Sequence, residues 1–182
     1  EHDFAYMRKV IGLPPGEKDI LKFLAGLPKE QADEKREWMY QYGEKIAKSA
    51  KAAPNALSLL KALSNHGKKL ALLTRNHRDL ALITLKSIGM GDLFDPNLIL
   101  GRNEAEAKPS PDGINQILQY WQASPSDSIM VGDYTFDLDA GRNAGTYTML
   151  VNRDENLWPD RADYYFKDLS QLYKCLKSLY PQ

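Results

Sequence analysis

The chain has 182 residues, 43% of them hydrophobic and 26% charged, a composition typical of a globular protein with one core and room for a small accessory domain. Lysine plus arginine and aspartate plus glutamate number 24 each, and this balance lacks the electrostatic signature of a nucleic-acid-binding protein. The single cysteine, Cys175, cannot form an internal disulfide, so we expect an intracellular and most simply cytoplasmic protein, although an organelle stays open. No apolar run reaches 18 residues, so we expect no membrane binding. We expect a monomer or weak homodimer.

Residues 1–52 are predicted to be helical throughout. Three segments with apolar side chains at helical spacing follow one another, beginning near His2, Pro14 and Lys29. No pattern in this region indicates a strand. We interpret residues 1–52 as a separate all-helical domain, and the charge run at 33–37 as a solvated helix face.

Strands and helices alternate over residues 53–182. The strand patterns, in chain order, are KKLALLT, NLILG, SIMVGD, TYTMLV and ADYYF. Between them lie helical patterns; Pro54 and Gly67 suit the first turn and the end of one helix, and Ser110 and Pro111 suit the N-cap and first turn of another. This alternation predicts an α/β fold with a parallel sheet and helices on both of its faces.

The first strand pattern ends in residues that suit a phosphate ligand. Ligands of doubly wound sheets bind outside the carboxyl ends of the strands. The stretch LALLTRN places Thr74, Arg75 and Asn76 where a strand ends and a helix begins, so a hydroxyl and backbone N–H groups could hold phosphoryl oxygens. The alternative is that Thr74 simply caps the following helix.

A lysine in the stretch EAKPSPDG could supply positive charge to the same ligand. Lys108 lies immediately before Pro109, in a loop that Pro109 and Pro111 stiffen, and a helix follows. A lysine held in this way could neutralise phosphoryl oxygens or a carboxylate nucleophile. The alternative is an ordinary surface lysine, with no part in the packing of the core.

The stretch SIMVGDYTFDLDAG carries a strand into a cluster of carboxylates. Gly132 allows close approach of the backbone at Asp133, and Asp137 follows one helical turn later. Clustered carboxylates repel one another unless they share a cation, and their hard oxygen atoms suit Mg²⁺. The alternative is that these residues and Asp139 only favour the N-terminus of the helix. A calcium loop is excluded because Leu138 stands where its glycine is required.

Together the three stretches resemble the second, third and fourth motifs of the haloacid dehalogenase-like (HAD) hydrolase superfamily, most closely its phosphoglycolate phosphatase-like branch. The resemblance implies a Rossmann-like core over residues 53–182 and a helical cap domain over residues 1–52. It also implies a Mg²⁺ cofactor and a small phosphorylated metabolite as substrate, hydrolysed by phosphoryl transfer through an aspartyl-phosphate.

The resemblance assigns a role to each motif residue. The roles it implies are catalysis by Thr74, Lys108 and Asp133, phosphate binding by Thr74, Arg75, Asn76 and Lys108, and Mg²⁺ ligation by Asp133 and Asp137. Four further basic residues could contact a substrate or be ordinary solvated surface: Arg8, Arg36, Lys45 and Arg102.

The first motif of that superfamily, a strand ending in Asp-x-Asp-Gly-Thr, has no counterpart in the chain. Asp3 does not match it, because Ala5 stands in place of the second aspartate. We expect this strand and its nucleophile upstream of Glu1, and we expect the 182-residue chain alone to be inactive. Two alternatives stay open, a non-catalytic phosphate-binding or regulatory relative and a metal-independent dehalogenase. The Gly132-Asp133 pair, with its carboxylate, argues against the second.

Overall fold

The computed structural model describes residues 4–180 and divides into two compact units, residues 1–50 and 51–182. The predicted start of the first helix at His2, and Asp3, lie outside the described residues. No described helix is both long enough and apolar enough to cross a membrane.

The first unit contains three helices, α1 (Phe4–Ile11), α2 (Ile20–Ala25) and α3 (Lys29–Lys48). Its buried side chains come from all three helices and the turn after α1: Met7, Ile11, Leu13, Leu24, Ala32 and Ala47. Trp38 and Tyr42, one helical turn apart on α3, stack with their ring centroids 5.1 Å apart. The described part of this unit contains no strand, as the sequence predicts.

The second unit alternates strands and helices as predicted. Its elements are α4 (Ala56–Asn65), β1 (Leu72–Leu73), α5 (Arg78–Ser87), β2 (Ile99–Leu100), α6 (Asp112–Trp121), β3 (Ile129–Gly132), α7 (Thr135–Ala144), β4 (Tyr147–Val151), β5 (Tyr164–Phe166) and α8 (Leu169–Leu179). Three short 3₁₀ helices lie in the connections. Every strand pair is parallel, which confirms the α/β class.

The strands form two sheets rather than one. β1 pairs with β2, and β3, β4 and β5 form a second sheet in that order. Leu73 of β1 and Met130 of β3 nevertheless pack against the same buried cluster of Ile114, Leu118 and Ala140. In the described chain no strand pairs with the free edge of β1 or with that of β3, so the single predicted sheet is present in two parts.

Helices cover both faces of the β1–β2 sheet. Leu72 packs into a cluster with side chains of α4, α5 and α8, and Leu73 packs on the opposite side with Ile117 and Trp121 of α6. The β3–β5 sheet packs one face on α7, where Gly141 lies against Thr148 and Met130. The other face of this sheet exposes four large side chains: Ile129, Val131, Tyr147 and Tyr164.

Two predicted helix starts are wrong by one or two residues. Helix α4 begins at Ala56 with Asn55 as N-cap, so Pro54 lies before the helix and not in its first turn. Pro111, and not Ser110, is the N-cap of α6. The Ser110 hydroxyl, one residue before the N-cap, still accepts a hydrogen bond from the Asp112 N–H at 3.3 Å. It therefore binds one of the backbone N–H groups that have no partner within the first turn of the helix.

Candidate active site

A buried ion pair joins two of the predicted motifs. The Lys108 ammonium group donates to Asp137 Oδ1 at 2.5 Å and to the Leu73 carbonyl oxygen at 2.8 Å. Lys108 and Asp137 are each 8% exposed. The surface-lysine interpretation is therefore wrong, because the side chain of Lys108 turns inward and connects the end of β1 to the first turn of α7.

Gly132 makes room for the acidic partner of that pair. A Cβ atom at position 132 would lie 2.2 Å from Asp137 Cβ and 2.4 Å from Asp137 Oδ2. Asp137 Oδ2 also accepts a hydrogen bond from the Tyr134 N–H at 3.1 Å. The Gly-Asp-x-x-x-Asp spacing thus folds Asp137 back over the end of β3, which any larger residue at 132 would prevent.

Asp133 has a different environment. Asp133 is exposed, and no described residue donates a hydrogen bond to its carboxylate. Its main-chain carbonyl oxygen accepts from Arg153 Nε at 2.6 Å, and the Arg153 guanidinium group lies 5.9 Å from the Tyr134 ring centroid. The backbone of Asp133 is therefore held while its carboxylate faces outward. This arrangement suits a ligand of an external cation better than a helix cap.

The stretch after β1 forms a compact turn. Thr74 N–H donates to the Leu100 carbonyl oxygen at 2.9 Å, and Thr74 Oγ1 accepts from the Asn76 N–H at 3.1 Å. His77, and not Thr74, is the N-cap of α5. The helix-cap interpretation of Thr74 is therefore wrong, although its hydroxyl oxygen does bind a backbone N–H within the turn.

Arg75 links this turn to the other two motifs. One of its terminal nitrogens donates to the Lys108 carbonyl oxygen, and its guanidinium carbon lies 4.1 Å from the centroid of the Phe136 ring. Arg75 therefore contacts the third motif through the backbone and the fourth through an aromatic face.

The donor set of the site fits Mg²⁺ together with a bound phosphate. The described residues contain no group of three or more His, Cys, Asp or Glu side chains that could hold a metal ion alone. Mg²⁺ commonly uses one or two carboxylates and completes its octahedron with phosphate oxygens and water. Asp133 supplies an outward-facing carboxylate, whereas both oxygens of Asp137 already accept hydrogen bonds. Asp133 is therefore the candidate direct ligand and Asp137 the candidate indirect one.

The structure thus brings all three motifs to one edge of the second unit. Thr74, Lys108 and Asp137 lie around the Leu73 carbonyl oxygen and the Lys108 ammonium group. The basic residues Arg8, Arg36 and Lys45 belong to the first unit. Among them, Arg36 forms a surface ion pair with Asp33 at 2.9 Å.

Sequence reasoning missed Arg153 and the Leu73 carbonyl group. Arg153 lies two residues beyond β4, so the rule that sites collect at strand ends could have identified it. The Leu73 carbonyl oxygen carries no sequence signal, because a backbone acceptor is present at every position. The residues that complete the site depend on tertiary contacts.

Comparison with known proteins agrees with the motif pattern. The sequence profile of the haloacid dehalogenase-like hydrolases matches residues 3–151. An uncharacterized hydrolase of Saccharomyces cerevisiae is 27% identical over 97% of this chain and 84% of its own length. The pyrophosphatase PpaX of Bacillus pumilus is 32% identical over 64% of this chain, but the match spans only 55% of that protein.

The fold is also that of solved structures. A hydrolase from Pseudomonas syringae superimposes with a TM-score of 0.74 and 24% identity, covering 87% of this chain and 76% of that one. This likeness supports the arrangement of elements described above, including the alternation of strands and helices in the second unit.

Proposed function

Because the chain belongs to the haloacid dehalogenase-like hydrolase family, we propose that it forms the greater part of a Mg²⁺-dependent phosphatase. The substrate is a small phosphorylated metabolite, hydrolysed through an aspartyl-phosphate. The name of the Bacillus pumilus relative, a pyrophosphatase, is in keeping with a phosphoric anhydride or ester as the substrate class.

The observation that carries this proposal is the position of the Lys108 ammonium group. It contacts the Leu73 carbonyl oxygen, one residue before Thr74, and the carboxylate of Asp137. A fixed positive charge between a strand end and an acidic turn is preorganised to stabilise negative charge on a phosphoryl group. The hydroxyl of Thr74 would bind a phosphoryl oxygen beside it.

In the proposed reaction, an aspartate carboxylate attacks phosphorus, the bond to the leaving group breaks, and a second acid donates a proton to the departing oxygen. Water then hydrolyses the acyl phosphate and releases inorganic phosphate. Asp133, assisted by Asp137, would hold Mg²⁺, which when bound neutralises charge on the phosphoryl oxygens. Lys108 would hold the nucleophile and the phosphate in position.

The nucleophile is proposed to lie on a strand between β1 and β3. Both strands have an edge to which no described strand pairs, and Leu73 and Met130 on the two strands pack on one cluster. The unpaired N–H and C=O groups of a strand edge can pair with a further strand, so a parallel strand between these two edges would complete both ladders and stabilise the second unit. We place this strand in the sequence encoded upstream of Glu1, and we propose that the helical first unit serves as the cap.

Phosphate release tests the proposed function directly. The chain extended by its encoded upstream residues is assayed with a panel of phosphate esters and pyrophosphate, in Mg²⁺ and in excess chelator. We expect Mg²⁺-dependent hydrolysis that is lost in Asp133→Asn and retained in Asp154→Asn, a matched change at an exposed surface carboxylate. Upstream residues without an apolar strand ending in aspartate, or turnover that chelator does not affect, would overturn the proposal.

A further inference from the structure

The loop between β4 and β5, residues 152–163, holds an arginine against the candidate Mg²⁺ ligand. Gly132 at the end of β3 is in register with Leu150 of β4, so the chain leaves both strands at the same edge of the sheet. Beyond that edge, the Arg153 Nε–H donates to the main-chain carbonyl oxygen of Asp133 at 2.6 Å. Arg153 belongs to none of the three motifs, and the motifs assign it no role.

A bend and a hydrogen bond fix the backbone at Arg153. Asn152 has a φ of 56°, in the left-handed region that asparagine adopts more readily than most residues, and the chain bends there directly after β4. The Tyr165 hydroxyl group, on β5, donates to the Arg153 carbonyl oxygen at 2.8 Å. The side chain of Arg153 therefore extends from a backbone that the neighbouring strands hold in place.

An aromatic ring contacts the guanidinium group. The guanidinium carbon of Arg153 lies 5.9 Å from the centroid of the Tyr134 ring, within the range of a cation–π contact. The Tyr134 ring has edge contacts of its own, with centroid distances of 5.2 Å to Phe136 and 5.4 Å to Trp158. Arg153 thus contacts the main chain of Asp133 and the side chain of the next residue, whereas the Asp133 carboxylate receives no hydrogen bond from the described residues.

These contacts restrict the direction of the Asp133 carboxylate without occupying it. With the peptide group after Asp133 held by Arg153, the direction of the carboxylate depends mainly on its own side-chain rotations. A ligand that is ordered before the cation arrives loses less conformational entropy on binding. Hydrogen bonds that orient a metal ligand from outside commonly change metal affinity by about 10–100-fold.

We propose that Arg153 is a positioning residue, which acts through the main chain of Asp133 to hold the carboxylate ready for Mg²⁺ and bound phosphate. This inference rests on the proposed function, because it takes Asp133 as the direct metal ligand. The contribution of Arg153 is geometric. Its charge has the opposite effect, since a positive group near a cation site repels the cation.

Calorimetric titration of Mg²⁺ into the 182-residue chain, at a fixed phosphate concentration, tests this role without requiring turnover. In Arg153→Gln the Mg²⁺ dissociation constant should rise by about tenfold or more. Loss of a nearby positive charge alone would lower that constant, so the sign of the change separates position from charge. Tyr165→Phe removes only the hydroxyl group that binds the Arg153 carbonyl oxygen, and should raise the constant by a smaller factor.

Arg142→Gln is the matched control. Arg142 also donates through Nε to a main-chain carbonyl oxygen of the same loop, that of Arg161 at 3.0 Å, but Arg161 is not a motif residue. This variant should keep the wild-type Mg²⁺ dissociation constant even where its melting temperature falls. A second control is phosphate binding in excess chelator, which should be equal in Arg153→Gln and the wild type because Arg153 is not a phosphate ligand.

Each contrary result has its own meaning. An unchanged or lower Mg²⁺ dissociation constant in Arg153→Gln, or an equal rise in Arg142→Gln, would overturn the positioning role and leave the proposed function standing. Weaker phosphate binding by Arg153→Gln in chelator would also overturn it, by making Arg153 a phosphate ligand. Thermal melting shows whether each variant is folded. If Arg153→Gln does not fold, an unchanged constant in Tyr165→Phe overturns the role. A wild-type chain that binds no Mg²⁺ with phosphate present would overturn both proposals.

Discussion

Lys108 and Asp137 form a buried ion pair across 29 residues of sequence, with 2.5 Å between the ammonium nitrogen and Oδ1. Lys108 precedes α6 and Asp137 lies in the first turn of α7, so the pair fastens the loop before one helix to the start of another. Both charges have little contact with water, and each depends on the other for its stabilisation.

Replacing Lys108 by Met should strongly destabilise the protein. The change leaves the carboxylate of Asp137 buried without its cation, a loss of about 3–5 kcal/mol in other buried pairs. Urea unfolding followed by circular dichroism measures the change. The matched control is Lys167→Met, which removes the exposed partner of Asp154 and should leave the unfolding midpoint where it is.

A second variant separates charge from packing at this pair. Asp137→Asn added to Lys108→Met removes the uncompensated charge but keeps an oxygen that can accept from the Tyr134 N–H. The double variant should therefore be more stable than Lys108→Met alone. Equal stability of the two proteins would show that the loss comes from the packing of the lysine side chain and not from the charge of Asp137.

Gly132→Ala should be destabilising and should also displace Asp137. The new Cβ atom would lie 2.2 Å from Asp137 Cβ and 2.3 Å from its Cγ, so the start of α7 must shift. Overpacking of this kind costs about 1–3 kcal/mol. Gly91→Ala is the control, because a Cβ atom there meets nothing within 4 Å. Chemical denaturation of the two variants gives the comparison, and equal midpoints would contradict the close approach.

Asp133→Asn should weaken Mg²⁺ binding without affecting the fold. The carboxylate faces outward and has no hydrogen-bond donor among the described residues, so its removal breaks no internal contact. Loss of one negative ligand from a hard-cation site should lower Mg²⁺ affinity in the presence of phosphate by about tenfold or more. Calorimetry and thermal melting on one sample measure both properties. A lower melting temperature with unchanged Mg²⁺ affinity would make Asp133 structural.

Asp163 should contribute stability that depends on pH. Burial opposes its ionisation, but hydrogen bonds from Thr148 and the charge of Arg142 outweigh burial and hold the pKa of Asp163 below its ordinary value. Thr148 N–H and Oγ1 donate to Asp163 Oδ2 at 2.8 and 2.9 Å. A carboxyl group with a depressed folded-state pKa stabilises the protein above its unfolded-state pKa and loses this effect as pH falls.

Melting temperatures from pH 7 to pH 3 test this contribution. Asp163→Asn should melt below the wild type at pH 7, and the difference should shrink as the pH drops below about 4, the ordinary pKa of an aspartate. The same exchange at the exposed Asp160 is the control, and it should change the melting temperature at pH 7 only slightly. A gap for Asp163→Asn that stays constant over this range would contradict the stabilisation by ionised Asp163.

Periodicity and strand-end motifs were enough to predict the five strands, the helical first region and the convergence of the three motifs. These features depend on local patterns: apolar runs bounded by glycine and proline, and polar residues where those runs stop. The same local patterns located Thr74 and Asp133 at strand ends.

The remaining features depend on contacts between distant residues. A lysine before a proline carries no signal of burial, so the inward turn of Lys108 toward Asp137 could not be predicted. The Arg102 guanidinium group contacts His77 Nε2, 25 residues away in sequence, where Gly101 passes close to the start of α5. The sequence shows this approach only as one glycine. Helix starts at Ala56 and Asp112 differ from prediction because cap positions depend on side-chain geometry.

Titration of Mg²⁺ into the 182-residue chain, with and without inorganic phosphate, tests most directly the claim that the three motifs form one phosphate and metal site. The turn at Thr74, the ammonium group of Lys108 and the carboxylate of Asp133 lie in one unit, and Mg²⁺ held by few carboxylates gains ligands from phosphate oxygens. We predict weak Mg²⁺ binding alone and measurably tighter binding with phosphate. An Mg²⁺ affinity that phosphate does not change would contradict the convergence of these motifs on a single site.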